Sequence, residues 1–308
     1  MTILVAGSTG LVGSAIFKKF EDDGKSVVGI NSKIVDLLDR DATFDYVIGL
    51  KPEVIIDAAA KVGGIGANNR APVEFLSQNL RIQSNLIDAA HEAKVKRFIF
   101  LGSSCIYPKN APQPLKEEYL LTGPLEETNS AYAIAKIAGI EAIKSYRKQY
   151  GHPWISLMPT NMYGPRDNFD TETGHVLPAL INKFVTAKEQ GISSVKLWGS
   201  GTPRREFLFS SDLASAVSVA LEKYDGDLHL NVGTGEDISI RELAKLIASE
   251  VGYLGDIHWD SSKPDGTPRK VLDIERISDL GWKPEIDLAS GIKMTIEDFK
   301  DSKGRVSS

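Results

Sequence analysis

Ile3-Leu4-Val5-Ala6-Gly7-Ser8-Thr9-Gly10-Leu11-Val12-Gly13 is a short apolar run that enters a glycine cluster. The stretch from Ser14 to Phe20 then has helical spacing, closed by Asp22, Asp23 and Gly24. Glycines at a strand-to-helix turn let the backbone approach a pyrophosphate, which sits on the helix N-terminus. An ordinary turn could carry three glycines too. Their place between a strand and a helix favours dinucleotide binding, with Gly7, Ser8, Thr9, Gly10, Leu11, Val12 and Gly13 as the expected phosphate loop.

Outward from this loop, strand and helix patterns alternate. Ser26 to Ile30 reads as a second strand. Apolar runs at Tyr46 to Leu50 and Val54 to Ala60 follow, the second as a buried strand. Leu80 to Ala93 is helical, Arg97 to Gly102 is a buried strand, and Ala131 to Tyr150 is a long helix with Gly151 placed to cap it. Trp154 to Met158 is again a strand. Such alternation indicates an α/β fold, a Rossmann-type doubly wound parallel sheet. After Asn161 the texture changes. A helix is expected at Val176 to Lys188, a strand at Val195 to Trp198 and sheet-and-helix material at Phe207 to Lys223 and His229 to Val232. Ile240 to Val251 is an amphipathic helix, the remainder reads as loop-rich, and Lys303 to Ser308 as a frayed end. The expected division is a cofactor-binding domain of residues 1–162 plus about 207–236. A smaller interleaved α/β substrate domain takes about 163–206 plus 237–308.

Composition excludes several classes. The 308 residues carry 36 Lys and Arg against 41 Asp and Glu, a net charge of -5, so there is no basic footprint for nucleic acid. One cysteine permits no internal disulfide and no cysteine-based zinc site, and no metal site is expected. No run reaches the ~18 apolar residues of a membrane span. The N-terminus reads as a strand and not as a signal peptide, so the expected location is cytoplasmic.

An acidic residue that would hold a ribose diol is expected ~20 residues beyond the glycine loop. Asn31-Ser32-Lys33 stands there instead, and a cation with a hydroxyl suits a 2′-phosphate, which favours NADP over NAD. Tyr132 and Lys136, four residues apart on the long helix, share a face. A neighbouring ammonium is expected to lower the tyrosine pKa and make it a proton donor or acceptor near neutrality. An exposed aromatic beside a surface lysine would show the same spacing. Ser103, just past the strand Arg97 to Gly102, adds weight, because ligands of open α/β sheets bind outside those strand ends.

The glycine loop, the strand-end serine and Tyr-x-x-x-Lys together resemble the extended short-chain dehydrogenase/reductase superfamily. Six blocks narrow the resemblance to its GDP-L-fucose synthase family. They are Ala59-Ala-Lys-Val-Gly-Gly-Ile-Gly-Ala-Asn-Asn69, Leu101-Gly-Ser-Ser-Cys-Ile-Tyr-Pro108, Tyr132-Ala-Ile-Ala-Lys-Ile-Ala-Gly139, Met158-Pro-Thr-Asn-Met-Tyr-Gly-Pro165, Trp198-Gly-Ser-Gly-Thr-Pro203 and Lys263-Pro-Asp-Gly-Thr-Pro-Arg-Lys270.

That resemblance implies one site that epimerises C3 and C5 of a GDP-4-keto-6-deoxy-D-mannose and then reduces C4 with NADPH. It makes Cys105 the base and His175 the acid of the epimerisation, with Ser103 and Tyr132 on the C4 oxygen. Lys136 holds the nicotinamide ribose. It adds Leu101, Gly102, Ser103, Pro159, Asn161, Met162 and His175 to the cofactor contacts, with Ser32 and Lys33 at the 2′-phosphate. It assigns Lys183, Trp198, Arg205 and Asp265 to the GDP-sugar. It also implies a homodimer through the helices around 80–93 and 131–150. Two positions depart from the family: Ser8-Thr9 where many members have a basic residue, and Ser32 where members often carry arginine.

Other sugar-nucleotide epimerases, reductases and dehydratases share the scaffold. A 4,6-dehydratase would want a carboxylate pair after the strand-end hydroxyl, where this chain has Ser104-Cys105-Ile106. A non-catalytic dinucleotide sensor would not need Ser103, Tyr132 and Lys136 together.

Overall fold

A computed structural model describes residues 1–263 and 265–306. The glycine turn leaves strand β1 (Thr2–Ala6) for helix α1 (Leu11–Asp22), and β2 (Ser26–Ile30) pairs parallel to β1. Helix α2 (Arg40–Leu50) leads to β3 (Val54–Asp57), which pairs with the other side of β1. A short helix α3 (Ile65–Arg70) precedes the long α4 (Pro72–Glu92), then β4 (Arg97–Leu101), α5 (Ser130–Tyr150) and β5 (Ile155–Pro159). Strands β6 (Asn161–Tyr163), β7 (Ser194–Trp198), β8 (Arg204–Arg205) and β9 (Phe207–Phe209) surround α6 (Val176–Glu189) and precede α7 (Ser210–Lys223). The chain closes with β10 (Leu230–Val232), β11 (Ile238–Ser239), α8 (Ile240–Val251), β12 (Asp256–Asp260), β13 (Arg269–Lys270), α9 (Glu275–Asp279) and α10 (Leu288–Val306).

The six-stranded parallel sheet has the order β10-β5-β4-β3-β1-β2. The strand order reverses between β1 and β3, and that crevice is where ligands of doubly wound sheets bind. Alternation within the strands feeds two cores. Leu4, Ile55, Phe98 and Phe100 face α2, α4 and α5, while Ile3, Ile56, Ile99 and Leu157 face α1, α7 and α9. Each fully buried Ile or Phe side chain contributes on the order of 2 kcal/mol. A third core joins α6, α8 and α10 over β7, separate from the sheet.

Most elements expected from the sequence recur within a residue or two, and Gly151 caps α5 in the left-handed region at φ 74°. Three features differ. Tyr46 to Leu50 is the last half of α2, whose N-cap Asp39 accepts from the Ala42 amide. Helix α4 starts at Pro72, eight residues before the expected Leu80, because proline at the first helical position needs no amide partner. The stretch expected to be loop-rich contains α10, which runs on to Val306 where a frayed end was expected. Ser307 and Ser308 lie outside the described residues.

Candidate active site

The glycine loop closes on itself. Gly7 sits at φ +76°, a conformation costly for any side chain, and an added Cβ would lie 2.8 Å from the Ala58 carbonyl after β3. At Gly13 an added Cβ would overlap the Gly7 carbonyl, so α1 begins tight against the turn. The Gly7 and Ser8 amides donate to the Ile30 carbonyl at 2.9 and 3.0 Å, and Gly10 donates to Gly7 at 3.1 Å. Gly10 is the N-cap of α1 and offers no side-chain cap, and no acidic residue occupies the first turn. The unpartnered amides there, with Leu11 and Val12, suit an anion. Ser32 and Lys33 lie exposed just beyond β2. The loop fits a dinucleotide diphosphate, the group the glycine pattern implies.

On the far side of the switch point, β4 ends at Leu101 and delivers Gly102 and Ser103. The Gly102 amide donates to the Leu157 carbonyl at 2.8 Å. Ser103 caps a single 3-10 turn, Ser104–Ile106, and its hydroxyl accepts from the Cys105 amide at 3.4 Å. The turn is pinned from beyond by Tyr107, whose buried hydroxyl donates to Asn231 Oδ1 at 2.5 Å. Cys105 is therefore held, 7% exposed, beside the serine.

Helix α5 presents Tyr132 and Lys136 to the same place. It can lie close on β4 because Gly139 has no side chain: an added Cβ would overlap the Phe100 ring. Lys136 Nζ, only 3% exposed, donates to the Leu101 carbonyl at 2.9 Å. It lies 5.9 Å from the Tyr132 ring centroid. Burial lowers its pKa, while Asp57 and Cys105 raise it. The expected lowering of the Tyr132 pKa by Lys136 is not observed. Burial pushes the phenol well above its ordinary value, negative charge at Cys105 and Asp57 adds to this, and only a hydrogen bond with Ser103 pulls it back. Tyr132 is accordingly a phenol at neutral pH.

The opposite wall comes from the second half of the chain. The Gly64 amide donates to the Thr173 carbonyl at 2.8 Å, seating the Ala59–Asn69 block against the loop that carries His175. His175 is the N-cap residue of α6, and Lys183 lies two turns along the same helix. Burial first and Lys270 second lower the His175 pKa. Arg205 on β8 pairs in register with Lys270 on β13, and donates to the Thr267 carbonyl at 2.6 Å. Asp265 accepts from the Ser200 amide at 2.9 Å and hydroxyl at 2.7 Å. Trp198 ends β7 with 71% exposure, so it is not a core residue. At the end of β5, the Asn161 amide side chain donates to the Glu206 carbonyl at 2.7 Å, and Pro159 and Met162 flank it.

Thus Ser103, Cys105, Tyr132 and Lys136 meet at one strand end, and Cys105 couples electrostatically to Lys270, and Lys270 to His175 and Arg205. Lys183 and Trp198 stand further out, on α6 and at the end of β7, and Ser32 and Lys33 stand across the sheet. Two participants were not singled out from sequence. Lys270 closes one of the quoted blocks, and Asp57 is the one charge in the buried run of β3.

The model of the NAD dependent epimerase/dehydratase family matches residues 3–233. The chain belongs to this family. Among relatives in this epimerase/dehydratase family, the GDP-L-fucose synthase 1 of Arabidopsis thaliana is 50% identical over 296 residues, covering 96% of this chain and 92% of that protein. The GDP-L-fucose synthase of Escherichia coli (strain K12) is 48% identical over 313 residues, covering 98% of each. A solved GDP-L-fucose synthetase from Naegleria fowleri bound to NADP superposes with a TM-score of 0.90 at 29% identity, covering 98% of this chain and 95% of that one. The resemblance drawn from the sequence blocks is thereby borne out at the level of the family.

Proposed function

We propose that this protein is a GDP-L-fucose synthase, which epimerises C3 and C5 of GDP-4-keto-6-deoxy-D-mannose and reduces C4 with NADPH. The observation that carries it is the meeting of the lone thiol, Cys105, with Ser103, Tyr132 and Lys136 at the end of β4. The names and identities of the relatives support the same reading.

NADPH, when bound, supplies the hydride. Gly7, Ser8, Thr9, Gly10, Leu11, Val12 and Gly13 cradle its diphosphate, and Ser32 and Lys33 meet the 2′-phosphate. Leu101, Gly102, Ser103, Pro159, Asn161, Met162 and His175 line its nicotinamide end, with Lys136 on the ribose. Protons at C3 and C5 flank the ketone and are acidic for that reason. Cys105 removes one, and the Ser103 and Tyr132 hydroxyls donate to the enolate oxygen that results. His175 returns a proton to the other face. Burial and Lys270 keep its imidazole neutral in the free site. The diphosphate brought against Arg205 and Lys183 adds negative charge that restores its basicity. After epimerisation Tyr132, kept a phenol by burial, donates its proton to the C4 oxygen. Trp198 and Asp265 bound the GDP-sugar.

Residues 1–162 with about 207–236 hold the cofactor, and about 163–206 with 237–308 hold the sugar nucleotide. The protein acts as a cytoplasmic homodimer through α4 and α5, where Val73, Ile134 and Tyr150 are exposed. Among the described residues no helix is long and apolar enough to cross a membrane.

The test is turnover of GDP-4-keto-6-deoxy-D-mannose with NADPH, read by loss of nicotinamide absorbance and chromatography of GDP-L-fucose. No NADPH consumption would overturn the assignment. Cys105→Ser is expected to abolish deuterium uptake at C3 and C5, and Tyr132→Phe to cripple reduction most severely. Exchange at the wild-type rate in Cys105→Ser would remove Cys105 as the base.

A further inference from the structure

β3 ends in a carboxylate that none of the steps above uses. Val54, Ile55 and Ile56 are buried and apolar, and Asp57 after them is only 1% exposed. Its Oδ1 accepts from the Ala59 amide at 3.1 Å, and its Oδ2 has no hydrogen-bond partner among the described residues. A buried carboxylate with one oxygen unanswered is unfavourable unless a charge compensates it.

Strand alternation puts Asp57 on the face of Ile55, the face covered by α4 and α5. Its register partners are Ala6 on β1 and Phe100 on β4. Lys136 Nζ lies 4.8 Å from the centroid of that same Phe100 ring and is bound to the carbonyl of the next residue, Leu101. The two charges sit in one buried layer. No ion pair within 4.0 Å joins them among the described residues, so their coupling is through space. Each supports the other's charge: Asp57 holds the Lys136 pKa up against burial, and Lys136 opposes the burial that raises the Asp57 pKa to about 6. The buried polar side chains of α4 are the amides Asn79, Gln83 and Asn85, and β1 and β4 bury only apolar residues here. Apart from Lys136, the titratable groups coupled to this layer are Tyr132 and, through Lys136, Cys105.

We propose that Asp57 is a positioning residue of the reduction: the counter-charge that keeps buried Lys136 an ammonium at the working pH. This rests on the roles given above to Tyr132 and Lys136. Removing the negative charge makes Lys136 lose its proton at lower pH, which moves a basic limb down.

Asp57→Asn keeps the shape and removes the charge. NADPH binding, followed by fluorescence without any sugar, is expected to match wild type at pH 6 and to be several-fold weaker at pH 9. The basic limb of kcat for reduction is expected to move down by about one pH unit. Superimposable pH profiles, or a uniform loss at every pH, would overturn the proposal. A second measurement does not need that variant to fold. In Lys136→Met, the 13C titration of the Asp57 carboxyl is expected to move up by about one pH unit. An unmoved titration would overturn the proposal as well. If the wild type binds NADPH but leaves the GDP-sugar untouched, the proposed function fails while the binding profiles still decide the role of Asp57.

Discussion

Lys270 shows how a residue far along the chain enters the chemistry. It reaches the site because β13 pairs with β8 beside Arg205. Burial and Arg205 lower its pKa and Cys105 and Glu126 raise it, so Lys270 is coupled electrostatically to the thiol as well as to the imidazole. Its ammonium opposes a second positive charge on His175. Lys270→Met removes that like charge, and the His175 titration, followed by NMR, is expected to move to higher pH. The same variant loses the cation facing Cys105 and is expected to slow deuterium uptake at C3 and C5 by about tenfold or more, given the 10²–10⁴-fold worth of acid–base groups. A His175 titration unchanged in Lys270→Met would show that burial alone sets it.

At the scale of elements, the distance between α5 and β4 decides whether Tyr132 and Lys136 reach the strand end. Gly139 is the point of closest approach, against Phe100. Gly139→Ala gains helix propensity of about 1 kcal/mol, yet the overlap with a ring in the core costs more, on the order of 1–3 kcal/mol. The expected outcome is a lower melting temperature together with a larger fall in kcat than in NADPH affinity, since α5 shifts away from Leu101. Much of this element was legible beforehand. Tyr132 and Lys136 share a face by spacing alone, and Gly151 marked the helix end. Ser103 was legible too, because a strand end in an alternating α/β pattern has a known use. Helix α2 was not, because Asp39-Arg40-Asp41-Ala42-Thr43 offers only a cap and a weakly apolar face. Helix α10 was missed for a similar reason, since its charged residues mask the few apolar ones, Ile292, Ile296 and Phe299, that it buries. Asp57 and Lys270 owe their roles to strand pairing across long sequence separations, which no local pattern carries.

For the whole molecule, buried titratable groups set opposing pH limits. His229, 1% exposed, has its pKa lowered to about 4, chiefly by burial, so stability falls as pH drops from about 6.5 toward 4. Asp57 and Asp167 act in the other direction. Burial raises Asp167 from 3.8 to about 7, against a single hydrogen bond from the Asn168 amide that lowers it. Its other oxygen, Oδ2, has no partner among the described residues. A carboxyl raised in the folded state binds its proton more tightly there than in the unfolded chain. Its contribution is intact below about 3.8 and is lost as pH rises through about 7. At pH 8 that loss amounts to at most ~4 kcal/mol, a large fraction of the marginal stability of any fold. Asp167→Asn retains the oxygen that accepts from Asn168 and cannot ionise. Calorimetric melting of the variant is therefore expected to exceed wild type by several degrees at pH 8 and to match it at pH 4. An equal gain at both pH values would mean that the substitution acts through packing and not through the charge. No gain at pH 8 would place the ionised carboxylate in water.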